Sequence, residues 1–217
     1  MFRAIVIGIV FFALLVTSGC TGGSAITQAN LDVSYNLAKA KVGPLSSVKP
    51  LKVEVGTFAD KRQVTDRIGD KRNYLGWRMA KIVTTRPVPE IVREAIVSAF
   101  NKNGHIVTSD EKDIVVSGEI ETFWFEYQAN TWEVEFMGTV DVNMVVQDSR
   151  TGQVLFSKRY SGYHNTALKG GYHKEMADEM NAALENLTDQ ISNDPKLIEV
   201  LKSYSASPAT STIPVNK

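Results

Sequence analysis

Few side chains in this sequence could carry chemistry at neutral pH. The chain has one cysteine, Cys20, and three histidines, His105, His164 and His173. A single thiol excludes an intramolecular disulfide framework and a cysteine-rich zinc site. His164 and His173 flank Gly170-Gly171, and two imidazoles so placed could share a metal. No acidic or thiol partner stands between them, so neither a metal site nor another cofactor is expected. Lys169-Gly170-Gly171, ahead of a helical segment, is either an anion cradle built from backbone N–H groups or a simple loop. The sequence lacks a Gly-x-Ser-x-Gly elbow, a phosphate-binding Gly-rich loop, a dinucleotide fingerprint and a His-Glu-x-x-His pair. No matched carboxylate pair stands out either, and the expectation is a protein that is not an enzyme.

The chemistry left to Cys20 is acylation. Arg3 is the sole charge before Asp32, and Ala4 to Val16 is an apolar run of 13 residues broken by Gly8 alone. That is short for a transmembrane helix and fits the apolar core of a signal peptide. Val16-Thr17-Ser18-Gly19 then leads into Cys20, matching a bacterial lipobox with Thr17 where Leu is usual. At such a site the thiol receives diacylglycerol, the chain is cut before the cysteine, and the new amino terminus is acylated, commonly with palmitate. Several acyl chains on one residue hold a protein on a membrane essentially permanently. The competing readings are an ordinary secretory signal with a coincidental cysteine, and an uncleaved anchor. Thr21 follows Cys20 where Asp would favour the inner membrane, so the expected location is the outer membrane, facing the periplasm.

The elements divide accordingly. Residues 1–19 read as signal peptide and 20–30 as lipidated cysteine and flexible tether. Residues 31–202 read as one domain, and 203–217, rich in Ser, Ala, Thr and Pro, as a disordered tail. Within the domain Leu51–Phe58 alternates as a strand, residues 60–80 read as a long charged loop, and Lys81–Arg86 as a short strand. A helix starts near Pro89, buries Val92, Ala95, Ile96, Ala99 and Phe100, and ends at Asn103-Gly104. Ile114–Tyr127, Trp132–Gln147 and Val154–Tyr163 form an antiparallel meander, with Trp132, Val134, Phe136, Gly138, Val140, Val142, Met144 and Val146 on one face. A second helix, about His173 to Ile191, buries Met176, Met180, Ala183, Leu184, Leu187 and Ile191. Asp194-Pro195 caps a short C-terminal helix ending near Lys202. The expected fold is α+β: a mixed, mainly antiparallel sheet of about four to five strands packed by two main helices.

Charge is neutral overall, with 24 basic and 24 acidic residues, which argues against a nucleic-acid partner. It is nevertheless segregated. Residues 60–86 hold eight bases and three acids, whereas 113–149 hold eight acids and no base. Either the basic loop lies on the acidic hairpin, or Lys61, Arg62, Lys71, Arg72 and Arg78 meet an external anion or partner. The hairpin also clusters Phe123, Trp124, Phe125, Tyr127, Trp132 and Phe136. Alternation puts Trp124 opposite Phe123 and Phe125. Helices and loops then cover both faces, or Phe123, Trp124, Phe125 and Trp132 form an exposed patch for a partner.

The lipobox, Phe58-Ala59-Asp60-Lys61-Arg62, Ile68-Gly69, Asn103-Gly104 and Asp194-Pro195 followed by Lys-Leu-Ile-Glu-Val-Leu201 together resemble the YajG-like lipoproteins over roughly Leu31 to Lys202. The resemblance implies a location and a fold and brings no catalytic residues. The expected function is a non-catalytic binding or assembly module of the cell envelope, held to the membrane through lipid on Cys20 and engaging an envelope protein. The alternative is an accessory lipoprotein subunit of a transport or secretion system.

Overall fold

The computed structural model describes residues 27–35, 40–129, 134–168 and 173–206. The signal peptide, Cys20, Trp132, Lys169-Gly170-Gly171 and residues 207–217 lie outside them. The elements are β1 (Thr27–Leu31), β2 (Lys52–Asp60), β3 (Gly69–Arg72), β4 (Arg78–Thr84), α1 (Val88–Lys102), β5 (Ile106–Val107), β6 (Ile114–Ala129), β7 (Val134–Asp148), β8 (Val154–Leu168), α2 (His173–Ser192) and α3 (Pro195–Ala206).

β6 is the spine of a mixed sheet. One of its edges pairs along its whole length with β7, which pairs with β8, both antiparallel. Its other edge is shared. The first half pairs with β2 and the second half with β3, both parallel. β5 extends the sheet beyond β2, while β4 and then β1 extend it beyond β3. The changeover coincides with a register shift between Ile120 and Thr122. A bulge there inserts one residue, so Ile120 and Phe123 both face inward.

The sheet therefore has eight strands, not four to five. β1, β3 and β5 account for the difference. β3, Gly-Asp-Lys-Arg, has no apolar alternation, and β1, Thr-Gln-Ala-Asn-Leu, buries only Ala29 and Leu31 in alternation, so both are held largely by backbone pairing. β1 begins inside the stretch read as tether, residues 60–80 contain β3 and the start of β4, and α3 continues past Lys202 to Ala206.

α1 and α2 cover one face. All the α1 and α2 stripe residues expected inside are buried, as are Phe136, Val140, Val142, Met144 and Val146 of β7. Asn103 ties the layer together: its amide donates to the Ala99 carbonyl and to Ser192, and its side-chain oxygen accepts from the Gly43 N–H. α2 also reaches the outer edge of β8, where Asn186 and Gln190 donate to the carbonyls of Tyr163 and Ser161 at 2.7 and 2.6 Å. Those carbonyls are thereby withheld from pairing with another strand.

Candidate interaction surface

The basic segment is built around three local aspartates. Arg62 grips Asp60 with Nε and Nη2, each at 2.8 Å, and its side chain is 6% exposed. This fork holds the Asp60 carboxyl below its ordinary pKa. Asp66 accepts from Lys81 at 2.6 Å and from Arg67 at 2.9 Å. Asp70 is 4% exposed and lies within 2.9 Å of Arg67, 3.2 Å of Arg72 and 3.7 Å of Arg78. The Arg67 and Arg78 contacts are ionic approaches; Arg72 donates a hydrogen bond. Lys71 sits 5.6 Å from the ring centre of Tyr127, and Lys61 is exposed.

The segment does lie beside the hairpin, with β3 paired to β6, Arg67 over Trp124 and Lys71 over Tyr127, but its guanidiniums do not pair with the hairpin glutamates. Arg62, Arg72 and Arg78 are paired, and their partners are Asp60 and Asp70 instead of the hairpin glutamates. The hairpin acids Glu121 and Asp141 take Arg159 of β8, at 3.0 and 3.2 Å. The pairing is local in sequence: Asp60 at the end of β2 and Asp70 of β3 stand within a few residues of the guanidiniums they take, although β3 also pairs with β6.

The aromatic patch is corrected likewise. Phe123 and Phe125 are 1% and 0% exposed beneath the helices and offer nothing to a partner. Trp124 alone of the three faces the helix-free side. There Arg67 lies over its ring at 5.9 Å, beside a cleft of ≈ 400 Å³ lined by Arg62, Gln63, Val64, Glu121 and Trp124. The outward positions of β6, β7 and β8 carry five carboxylates, Glu119, Glu121, Glu126, Glu135 and Asp141, against Arg159. Among the described residues no helix covers this acidic face.

Three features escape a sequence reading. Tyr74, Leu75, Trp77 and Met79 are 76, 56, 67 and 52% exposed around the β3–β4 turn; an apolar cluster between Arg72 and Arg78 was the available signal. His164 meets the buried Glu179 of α2 at 2.7 Å, a pairing across two elements that has no local signature. Asp194, which caps α3 through the N–H groups of Lys196 and Leu197 as its sequence position leads one to expect, also takes Lys158 and Tyr160 of β8, which the sequence does not disclose. No group of three or more His, Cys, Asp or Glu able to hold a metal ion occurs among the described residues. Nor is any helix among them long and apolar enough to cross a membrane.

Residues 47–202 match the model of a family described as uncharacterized lipoprotein. The chain belongs to this lipoprotein family. Membership implies anchoring to a membrane through lipid. No curated protein matches the lipoprotein. Among solved structures it is similar to a Xanthomonas campestris protein, with 14% identity, 82% of this chain and 98% of the other covered, and a TM-score of 0.54. The PelC dodecamer subunit of Paraburkholderia phytofirmans covers 68% of this chain and 95% of its own at 15% identity and a TM-score of 0.37. A Neisseria meningitidis lipoprotein, also 15% identical, covers 62% and 96% with a TM-score of 0.28. The first of these bears on the fold; the others are too distant in shape to carry an argument.

Proposed function

We infer that this lipoprotein is a YajG-like component of the cell envelope, anchored by lipid on Cys20 in the outer membrane and facing the periplasm. Its domain is a non-catalytic binding or assembly module. The observation that carries this reading is the sole cysteine standing directly after Val16-Thr17-Ser18-Gly19 in a chain that belongs to a lipoprotein family. The acidic face of β6–β8 supports the binding role, because a polar sheet face that no helix among the described residues covers suits a basic or polar protein partner.

Two experiments test it. Density fractionation of envelopes should put the wild-type chain with the outer membrane and shift Cys20→Ala away from it. Photo-crosslinkers at Glu119 and Glu135 in intact cells should trap a discrete envelope protein. Equal fractionation of the two chains, or no adduct from the acidic face, contradicts the corresponding half of the reading.

A further inference from the structure

The turn joining β3 to β4 holds Tyr74, Leu75 and Trp77 in water, with Met79 behind them. Its backbone is nonetheless fully organised. The Asn73 side-chain oxygen accepts the N–H groups of Leu75 and Trp77, both at 3.0 Å. The Asn73 N–H donates to the Trp77 carbonyl and the Gly76 N–H to the Asn73 carbonyl, at 3.0 and 2.8 Å. Arg72 donates to the Gly76 carbonyl at 3.0 Å. Gly76 takes φ +81, the left-handed region where a side chain would be strained. A contiguous apolar tip displayed on a fixed turn marks a surface for contact.

The tip is also basic. From Gly69 to Met79 there are three bases, Lys71, Arg72 and Arg78, and one acid, Asp70. Asp70 is shared among Arg67, Arg72 and Arg78, so one carboxylate cannot neutralise them. Aromatic and aliphatic side chains ringed by cations match the layered chemistry of an anionic bilayer surface, where Trp and Tyr sit at headgroup depth.

Topology fixes the direction in which the tip points. β1 runs parallel to β4 with Thr27 opposite Ala80, and the Thr27 hydroxyl donates to the Met79 carbonyl at 3.3 Å. The described chain therefore begins at the end of the sheet that carries the turn. Cys20 lies seven residues before Thr27, a reach of at most about 25 Å when extended. The turn projects only a few residues beyond Thr27, on the order of 10 Å at strand spacing. A bilayer holding the Cys20 lipid thus lies within range of the tip.

We propose that Tyr74, Leu75 and Trp77 rest in the interfacial layer of the membrane that anchors the chain, with Lys71, Arg72 and Arg78 meeting anionic headgroups. The proposal rests on acylation of Cys20. The contact gives the domain a fixed orientation and presents the β6–β8 face along the membrane surface.

The test uses the full lipidated chain, purified from envelopes and reconstituted into vesicles of phosphatidylethanolamine and phosphatidylglycerol with brominated acyl chains. Bromine quenches tryptophans that enter the bilayer. Trp77→Phe should lower the quenched fraction of the fluorescence, because it removes the buried fluorophore. Trp124→Phe should not lower it. An unchanged or larger quenched fraction in Trp77→Phe overturns the proposal, since Trp77 then lies in water. The amino-terminal mass of the same preparation is read separately. An acylated Cys20 with no loss of quenching in Trp77→Phe leaves the anchor standing and removes the contact. An unmodified Cys20 overturns the anchor and the tethered contact together.

Discussion

Arg67 lies over Trp124, its guanidinium 5.9 Å from the ring centre, while its Nε approaches Asp70 at 2.9 Å. A side chain from the charged segment thereby covers the one aromatic of the Phe123–Phe125 run that faces away from the helices. Asp70 holds this arrangement, since it is buried and has three guanidiniums around it. Asp70→Asn keeps the size and removes the charge. It should cost about 1–3 kcal/mol in chemical denaturation, and the Trp124 fluorescence should shift as Arg67 is released. A variant as stable as wild type would mean the three arginines do not depend on that carboxylate.

Asp194 begins α3 and is the most heavily used carboxylate among those described. Burial alone would raise its pKa, but donors from Lys158, Tyr160, Leu197 and Lys196 outweigh burial and hold it below the ordinary value. Burial, aided by the same contact, pushes the Tyr160 hydroxyl up. Asp194→Ala removes a helix cap and leaves the buried Tyr160 hydroxyl without its partner, so it should cost about 2–4 kcal/mol. Because the folded pKa is depressed, this stability is present above the unfolded value of about 3.9 and is lost as pH falls through the folded one. Wild type should therefore lose stability over that acid range more steeply than Asp194→Ala.

His105 gives a second pH effect at milder acidity. It is buried, its Nδ1 accepts from the Leu51 N–H at 3.3 Å, and it meets the edge of Phe100 at 5.6 Å. Burial lowers its pKa, against a smaller opposing effect of the Leu45 backbone. The unfolded chain then binds the proton more readily. Stability should be full above about pH 6.5 and fall as the pH drops below it. Thermal unfolding followed downward from neutral pH should show this fall, and His105→Gln should flatten it. An identical pH slope in the variant would contradict the assignment.

The seat of α2 gives a steric prediction. A Cβ on Gly162 would stand 2.1 Å from the Ala183 carbonyl oxygen and 2.9 Å from the Leu187 Cβ, so backbone and helix are already in contact. Gly162→Ala must lift α2 and should destabilise by about 1–3 kcal/mol. Leu184 is fully buried in the same interface, and Leu184→Ala should cost about 2–5 kcal/mol. Changes within about 0.5 kcal/mol for both would put α2 elsewhere.

What the sequence discloses follows from where burial leaves a period. The stripe from Met176 to Ile191 and the alternation from Phe136 to Val146 each repeat with their element, and both are buried as expected. The Asp194-Pro195 start of α3 is legible because a cap and a fixed φ act locally. β3 is not, because Gly-Asp-Lys-Arg buries no apolar side chain and is defined by its neighbours β4 and β6. The bulge at Glu121 shifts the inward phase of β6 within one strand, which composition does not announce. Charge counts locate the basic segment but not its pairings, because a net excess of five bases does not show that Asp60, Asp66 and Asp70 each take guanidiniums from the segment itself. Tyr74 and Trp77 stand within a stretch whose charge makes it read as a loop, and charge counts pass over them.

The proposed anchoring of this lipoprotein through Cys20 is read most simply from the intact mass of the protein extracted from membranes. The expected chain begins at Cys20, lacks residues 1–19 and carries the added mass of a diacylglycerol and an amide-linked acyl chain. A chain cut elsewhere, or one in which Cys20 remains a free thiol, would contradict that anchoring.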